Sequence, residues 1–193
     1  MTNHNTQHTS KGFALLITII TLTVIISVTL AIVELSLKQL ELSVNSKDSE
    51  LAFHAANAAL ECARFTRKVE TAAFEGGLPV DFTCLNQTDV NVAKTLSVSG
   101  TEGDIYTYHS ELNWITGTVN HCSEMTILVM NVKDDQGDLV YGSMQTQIPG
   151  YATASKKCDQ GGRCTVVSVS GYSSSCAEKT AVGTLKRELL VEF

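Results

Sequence analysis

Residues 11–33 read KGFALLITIITLTVIISVTLAIV, and this stretch decides how the rest of the chain is organised. No charged side chain occurs from Phe13 to Val33. About 20 apolar residues, each adding roughly 1.5 Å along a helix, match a hydrocarbon core roughly 30 Å thick. The sequence therefore predicts a transmembrane helix over residues 13–33.

The helical signal continues beyond the apolar run. No Gly or Pro interrupts it before Gly76-Gly77, and Pro79 follows shortly, which is typical of a helix end. We therefore predict that residues 34–75 form an amphipathic extension of the same helix. Its apolar stripe, interrupted by Asp48, keeps the spacing of one helix face and comprises Val33, Leu37, Leu40, Val44, Leu51, Ala55, Ala58, Cys62, Phe65 and Val69. Small helix-forming residues that let another layer approach closely are Ala52, Ala55, Ala56, Ala58, Ala59 and Ala63.

Length and charge limit what the remainder of the chain can be. Of 193 residues, about 120 follow the helix, enough for one small globular domain over residues 76–193. The net charge of −6 argues against a general nucleic-acid surface.

Six cysteines lie on the C-terminal side of the apolar run, which indicates an oxidising compartment on that side and three disulfides. Six cysteines allow 15 pairings, and the sequence does not choose among them. We favour Cys62 with Cys84, because Cys62 lies on the apolar stripe and Cys84 follows soon after the helix. The other two pairs are assigned without a sequence argument as Cys122 with Cys176 and Cys158 with Cys164.

The residues on either side of the apolar run indicate how the chain is oriented in the membrane and where it is cleaved. Residues 1–12 carry Lys11 as their one basic residue and no acid, which agrees with the cysteines in placing this end in the cytoplasm and the domain outside. The apolar run is too long for a secretory signal, and no small-x-small cleavage site follows it. The alternative is cleavage before the run, which leaves the run in the mature protein.

Beyond residue 76 the chain is predicted to be β-rich. Two short runs split by Gly100–Gly103 predict a hairpin over residues 94–109, and Met125–Val132 predicts a central strand. Asp134–Gly137 predicts a turn that leads residues 138–148 into a second hairpin. Residues 111–119, 165–170 and 184–193 are further candidate strands, and the last of these alternates regularly. The predicted fold is α+β, with a long N-terminal helix packed on an antiparallel sheet.

Motifs for chemistry are sparse, and we expect neither an enzyme nor a bound cofactor or metal. Asp134, Asp135 and Asp138 around Gly137 miss the spacing of a calcium loop. A zinc site built on the CX5C loop would need two further ligands from Cys122, Cys176, His109 or His121, and disulfides are favoured instead. No nucleophile elbow, paired-carboxylate motif or phosphate loop occurs. Lys156, Lys157 and Arg163 form a small basic loop, for which DNA contact is a minor alternative to solvation.

The start of the chain resembles the prepilin signal of type IV pilins. A short polar leader, residues 1–12, ends in Lys11-Gly12 and is followed by Phe13 and the long apolar helix. Residues 47–63, KDSELAFHAANAALECA, are similar to the helix of pilin-like proteins, particularly minor pilins of the PilX-like type and pseudopilins. Residues 171–176 and 186–193 are more weakly similar to such proteins.

The resemblance implies a structural function. A prepilin peptidase would cut after Gly12 and methylate Phe13, and the helix, represented by Ile17, Leu37, Leu40, Val44 and Leu51, would draw the subunit through an inner-membrane assembly platform. It implies a bacterial protein of the cytoplasmic membrane that ends in a cell-surface pilus or pseudopilus, with other pilin subunits as partners. The fifth residue after Gly12 is Ile17 where major pilins usually have Glu, which favours a minor, priming or tip subunit. The alternative is a membrane-tethered binding or adhesion module that does not assemble.

Overall fold

The structure, a computed structural model, describes residues 10–84, 87–89, 93–116 and 119–193. The chain divides into two compact units, with the boundary after Ser46. Helix α1 covers Ser10–Val69 and contributes to both.

The first unit consists of the apolar part of α1, and all its side chains described from Phe13 onward are exposed. From Thr18 to Ser36 its hydroxyl groups bond to carbonyls one turn earlier in the helix, as Thr29 Oγ1 does to Ile25 O at 2.8 Å and Ser36 Oγ to Ile32 O at 2.9 Å. Such bonds satisfy the hydroxyls without water. By length and composition this helix can cross a membrane.

In the described residues, the second unit joins the rest of α1 to twelve further elements. The elements after α1 are α2 (Thr71–Glu75), β1 (Phe82–Cys84), β2 (Gln87–Asp89), β3 (Ala93–Ser99), β4 (Gly103–Thr116), β5 (Val119–Val132), β6 (Leu139–Tyr141), α3 (Met144–Gln147), β7 (Lys156–Cys158), β8 (Arg163–Tyr172), a 3-10 turn (Cys176–Glu178) and β9 (Lys186–Glu192). Five strands form one sheet in the order β3-β4-β5-β8-β9, and every neighbouring pair is antiparallel. The predicted α+β fold, a long N-terminal helix with an antiparallel sheet, is confirmed.

The helix packs on the inner face of the sheet through alanines. Ala52, Ala56, Ala59 and Ala63 have no exposed surface, and strands β5 and β8 meet them. The contact is so close that a Cβ at Gly171 would overlap the carbonyl oxygen of Ala52. Small side chains therefore form the helix–sheet contact, as their size predicted.

The larger residues predicted for the same stripe do not follow it into the core. Phe65 is 64% exposed and Val69 is 60% exposed. Close packing selects the narrow alanine face of the helix, and the two bulkier residues lie outside the contact. The assignment of Phe65 and Val69 to the buried face was therefore wrong.

The outer face of the sheet is half covered. Residues 139–158 fold over it and form a second core in which Leu139, Met144 and Ile148 meet Leu128 and Met130 of β5. The second hairpin predicted over residues 138–148 was wrong, because β6 pairs with β7 in a separate two-stranded sheet. Strand β5 cannot accept β6, since its two edges are already taken by β4 and β8.

Candidate functional site

The apolar surface of α1 in the first unit is the candidate site that the sequence predicted. Phe13 is 67% exposed, and Ile17, Leu37, Leu40 and Val44 are all exposed. Leu51, the last of the predicted assembly residues, is half-buried in the second unit. A continuous apolar helical surface of this kind must be covered by lipid or protein, since contiguous apolar patches are rarely left in water.

Gly12 lies inside helix α1, which begins at Ser10. The sequence-predicted cut between Gly12 and Phe13 therefore falls on a helical peptide bond in the structure.

Three disulfides fasten the second unit. They join Cys62 with Cys84, Cys122 with Cys176, and Cys158 with Cys164, which are the pairs named from the sequence. The first joins α1 to β1, the second joins β5 to the 3-10 turn, and the third closes the loop between β7 and β8. The first bridge therefore fixes the helix to the segment that follows it.

A buried polar bridge also fixes α1 to the sheet. Ser123 has no exposed surface; its Oγ accepts a hydrogen bond from Trp114 Nε1 at 2.7 Å and donates one to Ala55 O at 2.8 Å. The hydroxyl thus joins two strands and the helix. Nearer the start of the unit, Arg187 Nε donates to Ser49 Oγ at 2.9 Å.

A tyrosine holds the helix end. Tyr108 Oη lies 3.3 Å from Phe74 O and 3.3 Å from Leu78 O, so its hydroxyl donates to a carbonyl at the end of α2 or in the segment that follows it. Burial raises the pKa of Tyr108 to about 12, so the phenol stays protonated and remains a donor at neutral pH.

A charged network lies on the outer face near the 3-10 turn. Lys179 Nζ contacts Glu111 at 2.8 Å and also binds Glu124, which accepts a hydrogen bond from Tyr172 at 2.6 Å. Burial raises the pKa of Glu124, but the hydrogen bonds from Lys179 and Tyr172 outweigh it and leave that pKa below its usual value. The carboxylate is therefore held ionised, and the loop 176–179 is tied to β4 and β5.

The three cations considered for DNA contact pair with carboxylates of the second unit, and one of these carboxylates lies in the turn considered for calcium. Lys157 Nζ binds Asp138 at 2.6 Å, and this bond lowers the pKa of Asp138 in the acidic turn that was weighed for calcium. Lys156 pairs with Glu192, and Arg163 Nε lies 3.0 Å from Glu75. The three cations of the predicted basic loop therefore serve internal ion pairs.

One cluster in the described part of the chain has the spacing of a metal site: Glu111, Cys122 and Cys176. Its two sulfurs are joined to each other in a disulfide, so neither is a thiolate that could bind an ion. His54, which was expected to pack or face solvent, is exposed beside Glu50 on the helix surface.

Sequence reasoning missed Arg67, a charged residue on the buried face of α1. It is 8% exposed and donates to Thr165 and Glu75. A signal was present, because Arg67 lies four residues after Ala63 and therefore on the alanine face.

Comparisons of this chain with family models, with curated proteins and with solved structures found no match.

Proposed function

We propose that this chain is a structural subunit, minor, priming or at the tip, of a type IV pilus or pseudopilus, assembled through its N-terminal helix after peptidase cleavage between Gly12 and Phe13. The observation that carries the proposal is the bare apolar surface of α1 in the first unit, directly after Lys11-Gly12. A membrane covers that surface before assembly, and the helices of other subunits cover it afterwards.

The free energy gained by burying apolar side chains supports a helix that is covered by lipid or by other subunits. Burying a single Leu, Ile or Val side chain stabilises by about 1.5–3 kcal/mol, and the exposed large apolar residues of the first unit are numerous. Ile17 is among them, at the fifth position after Gly12. An apolar residue there removes the ion pair that a carboxylate would make within a filament, and it adds apolar contact instead. That exchange is the reason for proposing a minor subunit.

The second unit is suited to be carried by its helix. Within it, α1 is joined to the sheet by the Cys62–Cys84 disulfide, by the Ser123 bridge to Ala55 and by Arg187 on Ser49. A pull on the helix would therefore be transmitted to the sheet through covalent and buried polar links. The proposal places this unit outside the cytoplasmic membrane, where the disulfides can form.

The test is intact mass and N-terminal mapping of the full chain extracted from membranes that contain or lack prepilin peptidase. The expected result is a peptidase-dependent N-terminus at methylated Phe13. A matched pair of variants sharpens it: scrambling Lys11-Gly12-Phe13 should abolish cleavage, whereas scrambling residues 4–8 should not.

Two outcomes would contradict the proposal. A retained Met1 in both membranes would indicate a tethered module that does not assemble. A cut beyond Val33 would indicate a secreted domain whose helix serves as a targeting signal.

A further inference from the structure

A cavity of about 590 Å³ opens in the second unit where the end of α1 approaches strands β8 and β9. We call it the Arg67 cavity; its cationic lining residues are Arg64, Arg67, Lys68 and Arg163. Val191 and Phe193 supply an apolar wall. The volume is within the roughly 300–1,000 Å³ of small-molecule sites.

Arg67 is the most buried of these cations. Its Nε donates to Thr165 Oγ1 at 3.2 Å and its Nη2 donates to Glu75 Oε1 at 3.2 Å. Its Nη1 has no acceptor among the residues that the structure describes. No shielded side-chain nitrogen in the described ranges lacks a partner, and Arg67 keeps 8% of its surface exposed and lines the cavity. Arg67 Nη1 can therefore donate a hydrogen bond to an oxygen atom of a ligand.

The charges around the cavity do not cancel. Glu75 is shared by two guanidinium groups, with Oε1 on Arg67 and Oε2 at 3.0 Å from Arg163 Nε. Lys68 makes no ion pair with any residue in the described ranges. The carboxylate of Glu192, which also lines the cavity, is engaged by Lys156. Arg64 pairs with Glu61 at 2.9 Å, so the excess of positive charge comes from Lys68 and from the two guanidinium groups that share Glu75.

The dipole at the end of α1 accounts for only some of the cations around the cavity. Arg67 and Lys68 lie in the last turn of α1, where cations interact favourably with the helix dipole. Arg163 comes from strand β8 and reaches the same cavity. Two elements thus bring cations to one opening that also has an apolar wall, an arrangement typical of sites for amphiphilic anions.

We infer that the Arg67 cavity binds a small organic anion. Its carboxylate or phosphate oxygens meet Arg67, Lys68 and Arg163, and its apolar body lies against Val191 and Phe193. Guanidinium groups suit both oxyanions because their fork of N–H donors matches two oxygens at once. The site does not depend on the proposed assembly function, since its residues all lie in the second unit.

The probes are benzoate, phenyl phosphate and benzyl alcohol, titrated into the full chain in a nonionic detergent. Binding is followed by the ¹⁵N resonances of the arginine Nε–H groups. Benzoate or phenyl phosphate should bind saturably and about tenfold or more tighter than benzyl alcohol, because a charged hydrogen bond is worth at least that factor. The tighter of the two anions identifies the headgroup as carboxylate or phosphate.

A matched pair of double variants tests the position of the site. Lys68→Gln with Arg163→Gln removes two exposed cations from the cavity and should weaken binding about tenfold or more. Lys133→Gln with Lys157→Gln removes the same charge elsewhere in the unit and should leave binding within about twofold, since distant exposed charges are largely screened. Thermal unfolding of each variant checks that the fold is kept.

Three results would overturn the inference. They are benzyl alcohol binding as tightly as the anions, equal weakening in the two double variants, and no saturable binding of either anion at millimolar concentration.

Discussion

Gly171 on strand β8 sets how closely helix and sheet approach, and its replacement by alanine should destabilise the protein. A Cβ at this position would overlap Ala52 O and lie 2.9 Å from Ala56 Cβ. Gly171 is paired with Ser123 on one side and Arg187 on the other, so its strand is held within the sheet. The helix would have to move to accept even one methyl group.

The expected loss in free energy of unfolding follows from the atoms that the new methyl group would contact. Overpacking a filled core costs about 1–3 kcal/mol, and a clash with backbone, which cannot rotate away, belongs at the upper end, about 2–3 kcal/mol. Without a clash the sign would reverse, because Gly within a strand is about 0.5–1 kcal/mol less favourable than Ala. The direction of the change therefore tests the contact itself.

The assay is guanidinium unfolding of the full chain in a nonionic detergent, followed by tryptophan fluorescence. Trp114 is the sole tryptophan, and it lies 9% exposed in the core between α1 and the sheet. With a slope of about 4 kcal/mol/M, the midpoint should fall by roughly 0.5–0.8 M. Gly137→Ala, which meets no atom within 4 Å, is the control and should leave the midpoint nearly unchanged. A Gly171→Ala midpoint at or above that of the unaltered chain would refute the close contact.

Three further predictions concern the links within the second unit. Replacing both Cys62 and Cys84 by alanine should lower the free energy of unfolding by about 3 kcal/mol, because the bridge closes a segment with a sequence separation of 22. Ser123→Ala should cost about 1–3 kcal/mol, since it leaves a buried indole N–H and a helix carbonyl without their partner. Glu124, whose pKa is lowered in the folded state chiefly by Lys179, stabilises above the ordinary carboxylate pKa and loses that contribution as pH falls through the folded-state value. Glu124→Gln should therefore flatten the acid limb of the unfolding midpoint plotted against pH.

Each of these predictions has an outcome that contradicts it. An unfolding midpoint of the oxidised cysteine variant equal to that of the oxidised unaltered chain would show that the Cys62–Cys84 bridge does not stabilise the fold. A loss well below 1 kcal/mol for Ser123→Ala would show that the buried hydroxyl bridge does not stabilise the fold. Parallel acid limbs for Glu124→Gln and the unaltered chain below about pH 4.5 would show that this carboxylate does not contribute.

The α+β class, the central and final strands and the helix could be predicted because each depends on neighbours along the chain. A charge-free run of apolar residues is long enough to span a membrane whatever follows it. The alternation from Lys186 to Glu192 places Leu189 and Val191 on one side of β9, and both pack against the core. The same locality explains the alanine face of α1, since residues three and four apart share a face of any helix.

Only the tertiary structure decided which partner each surface meets. The pattern of residues 138–148 suits a hairpin, but β6 pairs with β7 because β4 and β8 already occupy the edges of β5. Phe65 fits the apolar stripe, yet the close approach of Gly171 to Ala52 turns the narrower alanine face inward. Arg163 joins Arg67 and Lys68 around one cavity, although about a hundred residues separate them in the chain. Such contacts are non-local, and no periodicity within a single segment encodes them.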